Sequence, residues 1–88
     1  MNTTTNIHPV KFIRTSLVTE LSGLSKSTLR RRIQEGLFVP PCSLGERAIA
    51  YLESEVNTIL TAMAAGKSKD ELRALVSYLV EQRQQAAA

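Results

Sequence analysis

Apolar side chains recur at helical spacing twice in the second half of the chain. Val56, Ile59, Leu60, Met63 and Ala64 stand at i, i+3, i+4, i+7 and i+8 and predict an amphipathic helix over 53–65, ended by Gly66. Ser68 and Glu71 then form a Ser-x-x-Glu capping box. The helix it opens, over 68–83, carries Leu72, Leu75, Val76, Leu79 and Val80 as its stripe, and Gln84 to Ala88 are expected to fray. Only Gly66-Lys67 separates the two, so the stripes are expected to face each other in a helical hairpin.

The first half is broken into shorter blocks. Val10 to Arg14, Val-Lys-Phe-Ile-Arg, reads as a short strand. A helix over 17–22 follows, with Thr15 or Ser16 as its cap and Leu17, Val18 and Leu21 inward. Gly23 marks a tight turn, Ser25 caps a second helix over 26–35, and Gly36 closes it. Two helices joined by so short a turn form a helix-turn-helix unit. Leu37-Phe38-Val39 is an apolar run, stopped by Pro40-Pro41, which confine a ladder to an edge. Leu44 to Arg47 reads as a turn and Ala48 to Tyr51 as a returning strand, so 37–51 is expected to be a hairpin with a basic tip, a wing. The fold class expected is mainly α with a small β-hairpin wing: a winged helix-turn-helix plus two C-terminal helices. Residues 1–9 are a flexible arm in this scheme, 10–66 the winged unit, and 67–88 an additional helix packed on the same domain.

The second helix carries the chemistry. At about 3.6 residues per turn, Leu29 and Ile33 share its inner side. Arg31, Ser27 and Gln34 lie opposite, Arg30 and Arg32 on the flanks, and Thr28 and Glu35 between. Arginine forks onto the acceptor edge of guanine, glutamine onto adenine, and serine or threonine onto base or phosphate. Lys26, a cation in the first turn, opposes the helix dipole and invites an anion at that end. An arginine run on a solitary helix is usually a solvated face; on the second helix of a helix-turn-helix it points to DNA.

Charge and composition narrow the field. The net charge is +3, and residues 1–47 hold seven Lys and Arg against three carboxylates, whereas 48–88 hold four against five. The basic surplus therefore sits with the helix-turn-helix, which suits a polyanion met from one side. Aromatics at 5% leave little for stacking single-stranded bases. No apolar run nears the roughly 20 residues that cross a bilayer, and the polar N-terminus lacks the blocks of a secretory signal. Cys42 alone cannot form an internal disulfide and reads as a small filler in a reducing cytoplasm. His8 is the single histidine, so neither catalysis nor a zinc site is expected, and no cofactor is implied.

Several short segments together resemble the AlpA family of prophage regulators. These are Ser22-Gly23-Leu24-Ser25-Lys26-Ser27-Thr28-Leu29, Glu35-Gly36, Pro40-Pro41, Leu44-Gly45, Arg47-Ala48 and Tyr51-Leu52-Glu53-Ser54-Glu55-Val56, and the likeness spans about residues 11–65. That family is similar in turn to phage excisionases and to the DNA-binding domain of MerR proteins. The resemblance implies a cytoplasmic bacterial winged helix whose second helix enters the major groove while the hairpin touches backbone or minor groove. It implies Ser25, Lys26, Ser27, Thr28, Arg30 and Arg31 as groove-side residues and Arg47 as the wing cation. From the helical wheel, Gln34 and Arg32 complete the candidate DNA-binding set. Two departures stand out: Arg32 occupies a position usually apolar in such proteins, and the helix at 68–83 extends past the family's usual end. Arg32 is expected to lay its stem on the core edge and hold its head toward a phosphate.

The function expected is sequence-specific binding of double-stranded DNA in a prophage or integrative element, as transcriptional regulator, excision factor or both. An integrase or a second copy on DNA is a further partner in that scheme, with a monomer favoured in solution and a dimer as the alternative. The competing role is a small protein-binding inhibitor or adaptor that uses the C-terminal amphipathic stripe.

Overall fold

The computed structural model describes residues 10–87; the arm at 1–9, with His8, and Ala88 lie outside them. The elements run β1 (Phe12–Ile13), α1 (Thr15–Ser22), α2 (Lys26–Gln34), β2 (Cys42–Gly45), β3 (Ala48–Leu52), α3 (Glu53–Ala64) and α4 (Lys69–Ala87). The four helices thus accompany a three-stranded antiparallel sheet of order β1-β3-β2. The result is a winged helix-turn-helix followed by two C-terminal helices.

Local chemistry explains most of the boundaries. Gly23, with φ 74°, ends α1 and donates its N–H to the Thr19 carbonyl. Ser25 caps α2 by accepting the Thr28 N–H at 3.1 Å. At the far end Gly36, with φ 77°, takes the left-handed conformation, and the N–H groups of Gly36 and Leu37 bond back to the Ile33 and Arg32 carbonyls. That pattern is the Schellman ending, which satisfies carbonyls the helix leaves open. The capping box forms as expected: Glu71 accepts the Ser68 N–H at 2.9 Å while the Ser68 hydroxyl accepts the Glu71 N–H at 3.1 Å.

Several boundaries differ from the sequence reading. The first helix begins at Thr15 and not at 17, with Arg14 as its flanking residue and no side-chain cap. Pairing of Phe12 with Leu52 and Ile13 with Tyr51 delivers the chain so that the Arg14 carbonyl already accepts the N–H groups of Leu17 and Val18. Of the three expected inward residues only Val18 is buried; Leu17 and Leu21 are exposed. The wing is shorter than 37–51. Leu37, Phe38 and Val39 are buried but unpaired, because the chain threads the core there, and the ladder starts at Cys42, after the two prolines. Helix α4 continues past 83 to Ala87 through residues of good helix propensity.

The core gathers Ile13, Val18, Leu29, Phe38, Val39, Tyr51, Val56, Ile59 and Val76, with Leu75, Leu79 and Val80 packed against it. Each fully buried large apolar side chain contributes about 1.5–3 kcal/mol relative to exposure. The stripe of α4 is therefore engaged by its own chain. At the lower edge Arg83 reaches from α4 to Glu55 of α3, with Nε at 2.9 Å and Nη2 at 2.6 Å from the two carboxylate oxygens. The same Nη2 donates to the Pro40 carbonyl at 2.6 Å. Glu55, in the first turn of α3, is thus the buried partner of Arg83. Its carboxylate, by accepting those bonds, raises the Arg83 pKa above the usual guanidinium value.

Candidate nucleic-acid interface

Helix α2 turns Leu29 into the core, and that single commitment fixes what its other face presents. Ser25, Lys26, Ser27, Arg30, Arg31 and Gln34 are exposed, and Thr28 is half-buried. None of Lys26, Arg30, Arg31 or Arg32 enters an ion pair among the described residues. The hydroxyl of Ser25 is occupied: besides capping, it donates to Thr28 Oγ1 at 2.9 Å and lies 3.3 Å from Ser27 Oγ. The cap thus holds three hydroxyls in one cluster at the helix start, beside Lys26.

Arg32 sits half-buried, and its Nε is buried without a hydrogen-bond partner among the described residues. Half-burial at this position agrees with a stem laid along the edge of the core. The end of α2 is held from behind, where Arg73 of α4 donates its Nε–H to the Glu35 carbonyl at 3.0 Å, its methylenes standing where a Cβ at position 36 would meet them.

The wing pairs Cys42 with Ala50, Ser43 with Ile49 and Gly45 with Ala48, leaving Leu44 as an extra residue at a bulge. Gly45 remains in the strand at φ 133°, and the turn itself is Glu46-Arg47. Arg47 is exposed at the tip and adopts φ 60°, a left-handed conformation costly for a residue with a Cβ. No ion pair ties it to α3: Glu53 meets Lys11 at 3.5 Å, and Glu55 is taken by Arg83.

Between α2 and the sheet lies a cleft of about 380 Å³, lined by Thr15, Lys26, Leu29, Arg30, Ile33, Pro41, Ile49 and Tyr51. Tyr51 is buried with its ring edge-on to Phe38, centroids 6.4 Å apart. Burial raises its pKa above the ordinary value of 10.0, opposed by the adjacent Thr15 hydroxyl and the Arg30 charge. Arg14 stands next to this cleft and donates to the Ile49 carbonyl at 3.3 Å. Neither Arg14 nor Thr15 nor Tyr51 belonged to the candidate set read from sequence. The alternation that puts Ile13 inward already turned Arg14 outward, but the cleft depends on tertiary packing.

No helix among the described residues is long and apolar enough to cross a membrane. The model of the prophage CP4-57 regulatory protein (AlpA) family matches residues 11–61, from β1 into α3. An uncharacterized protein, ORF88, of Enterobacteria phage P4 is 39% identical over 59 residues, which cover 67% of each chain. No solved structure matches. The chain therefore belongs to the AlpA family of prophage regulatory proteins, which is not a family of enzymes.

Proposed function

We propose that the protein binds double-stranded DNA sequence-specifically for a prophage or integrative element, as a transcriptional regulator, an excision factor or both. The observation that carries this is the exposed face of α2, where Lys26, Arg30 and Arg31 form no ion pair among the described residues and stand beside Ser27 and Gln34, with Arg47 at the wing tip. Unpaired guanidinium groups on one rigid helix keep their forked donors for guanine edges or phosphates. The regulatory family is consistent with that use. An inhibitor or adaptor acting through the α4 stripe is disfavoured, because those side chains pack on the core.

Footprinting across the DNA that flanks the gene tests the proposal. Protection over a promoter identifies a regulator, and protection over tandem sites beside an attachment site identifies an excision factor. Absence of any protected duplex at low salt overturns DNA binding. Within a protected site, Arg31→Ala is expected to cost about 1–3 kcal/mol of specific affinity if Arg31 reads a base. An equal loss on random duplexes would reduce it to a phosphate contact.

A further inference from the structure

The cleft between α2 and the sheet has two chemical characters. Leu29, Ile33, Pro41 and Ile49 supply apolar surface, while Lys26, Arg30, Thr15 and Tyr51 bring two cations and two hydroxyls to the same cavity. A strand of DNA has this same division, with apolar deoxyribose faces alternating with anionic phosphates. Resting on the DNA-binding proposal, the geometry points to this cleft as the seat of a sugar–phosphate backbone, with Tyr51 and Thr15 as contact residues in addition to the outward face of α2.

Position within the fold favours backbone over bases. When a helix occupies the major groove and a wing occupies the adjoining minor groove, one strand's backbone must pass between them. The cleft lies between the same two elements, recessed from the outward residues Ser27, Arg31 and Gln34. Lys26 stands in the first turn of α2, where its charge opposes the helix dipole, and a phosphate there neutralises that conflict. The phenol of Tyr51, buried and neutral, donates without the salt sensitivity of a surface cation. Contacts of this kind fix register on the duplex and read no sequence themselves.

The test takes a duplex that footprinting shows to be protected and replaces single phosphates by uncharged methylphosphonates, one position at a time. One or two adjacent positions are expected at which neutralisation weakens the native protein roughly tenfold, as for loss of a hydrogen bond to a charged group. Tyr51→Phe keeps the ring against Phe38 and removes only the hydroxyl. It is expected to bind the unmodified duplex roughly tenfold more weakly and to lose its sensitivity at that same position. Lys26→Gln should lose sensitivity there too, and it serves if Tyr51→Phe does not fold. Arg31→Gln should keep that sensitivity, since Arg31 lies outside the cleft. If both cleft variants retain the native interference profile at every phosphate, the cleft holds no backbone and the assignment falls while DNA binding stands. If the native protein protects no duplex, the DNA-binding proposal itself has failed.

Discussion

Removing Arg83 breaks the most buried ion pair among the described residues. Its guanidinium donates to both oxygens of Glu55 at 2.6–3.1 Å and to the Pro40 carbonyl at 2.6 Å. The Glu55 side chain is only 7% exposed, so Arg83→Ala strands a carboxylate that water barely reaches. Breaking a buried pair by deleting one partner costs about 3–5 kcal/mol, far more than the pair's net worth. Because the Arg83 side chain is itself 19% exposed, water relieves part of this and the lower end, ~3 kcal/mol, is expected. For a domain of this size each kcal/mol moves the thermal midpoint by roughly 4–8 °C, so Arg83→Ala should melt roughly 12–24 °C lower. Total stability at this length is of order 4–13 kcal/mol, so the variant approaches unfolding. Far-UV circular dichroism during heating and urea titration supply the measurement. The deficit should persist at high salt, because buried charges are poorly screened. Pairing Arg83→Met with Glu55→Ala should recover most of the loss, since no charge is then left unpaired. A midpoint shift under about 4 °C for Arg83→Ala would refute the reasoning and show the pair to be as weak as a surface one.

Three further outcomes are expected. Arg32→Met removes a buried Nε–H that has no partner among the described residues, so the midpoint should hold or rise, while the salt dependence of DNA binding falls by about one phosphate contact. A lower midpoint would mean that the Nε–H has a partner such as an ordered water. Arg47→Gly relieves the left-handed strain at φ 60° and should stabilise by up to about 1 kcal/mol, whereas Arg47→Ala keeps the Cβ and leaves the midpoint nearly unchanged. Both should weaken DNA binding in a gel-shift titration; unchanged binding would remove Arg47 from the interface. The bonds Glu71 accepts from Ser68, first from the backbone N–H, hold its pKa below 4.5. Its stabilisation is therefore complete above 4.5 and fades as pH falls through the lower folded value. Glu71→Ala should melt below the native protein at neutral pH and converge with it on acidification, and a constant gap across pH would refute the capping role.

What was legible in the sequence is what neighbours in the chain decide. Ser25, Gly36, Ser68 and Glu71 act on groups within a few residues, so their caps follow from spacing alone. The outward residues of α2 followed once Leu29 was placed inward. Leu37 to Val39 misled because a fully buried threading segment and a buried strand have the same composition; only the absence of a ladder partner tells them apart. Glu55 and Arg83 carried a sign that went unread: Glu55 lies four residues before Ile59 and Arg83 four after Leu79, so opposite charges sat on facing apolar stripes. The cleft with Tyr51 and Thr15 had no such sign, since its walls come from α1, α2, the wing and the segment before it.

The joint at Arg83 bears on how the protein is made. It links residues 28 and 43 positions apart, so it closes long loops and cannot form before α3, the segment ahead of the wing and α4 are all present. A chain emerging from the ribosome exposes α2 and the wing first, and both remain without their rear support until α4 follows. Ribosome-arrested chains of increasing length should stay protease-sensitive in the family-matched segment until residue 83 has cleared the exit tunnel, and early resistance would contradict this order. On the proposed function, competence to occupy DNA then arrives together with this joint, and chains that lack it do not compete for the site.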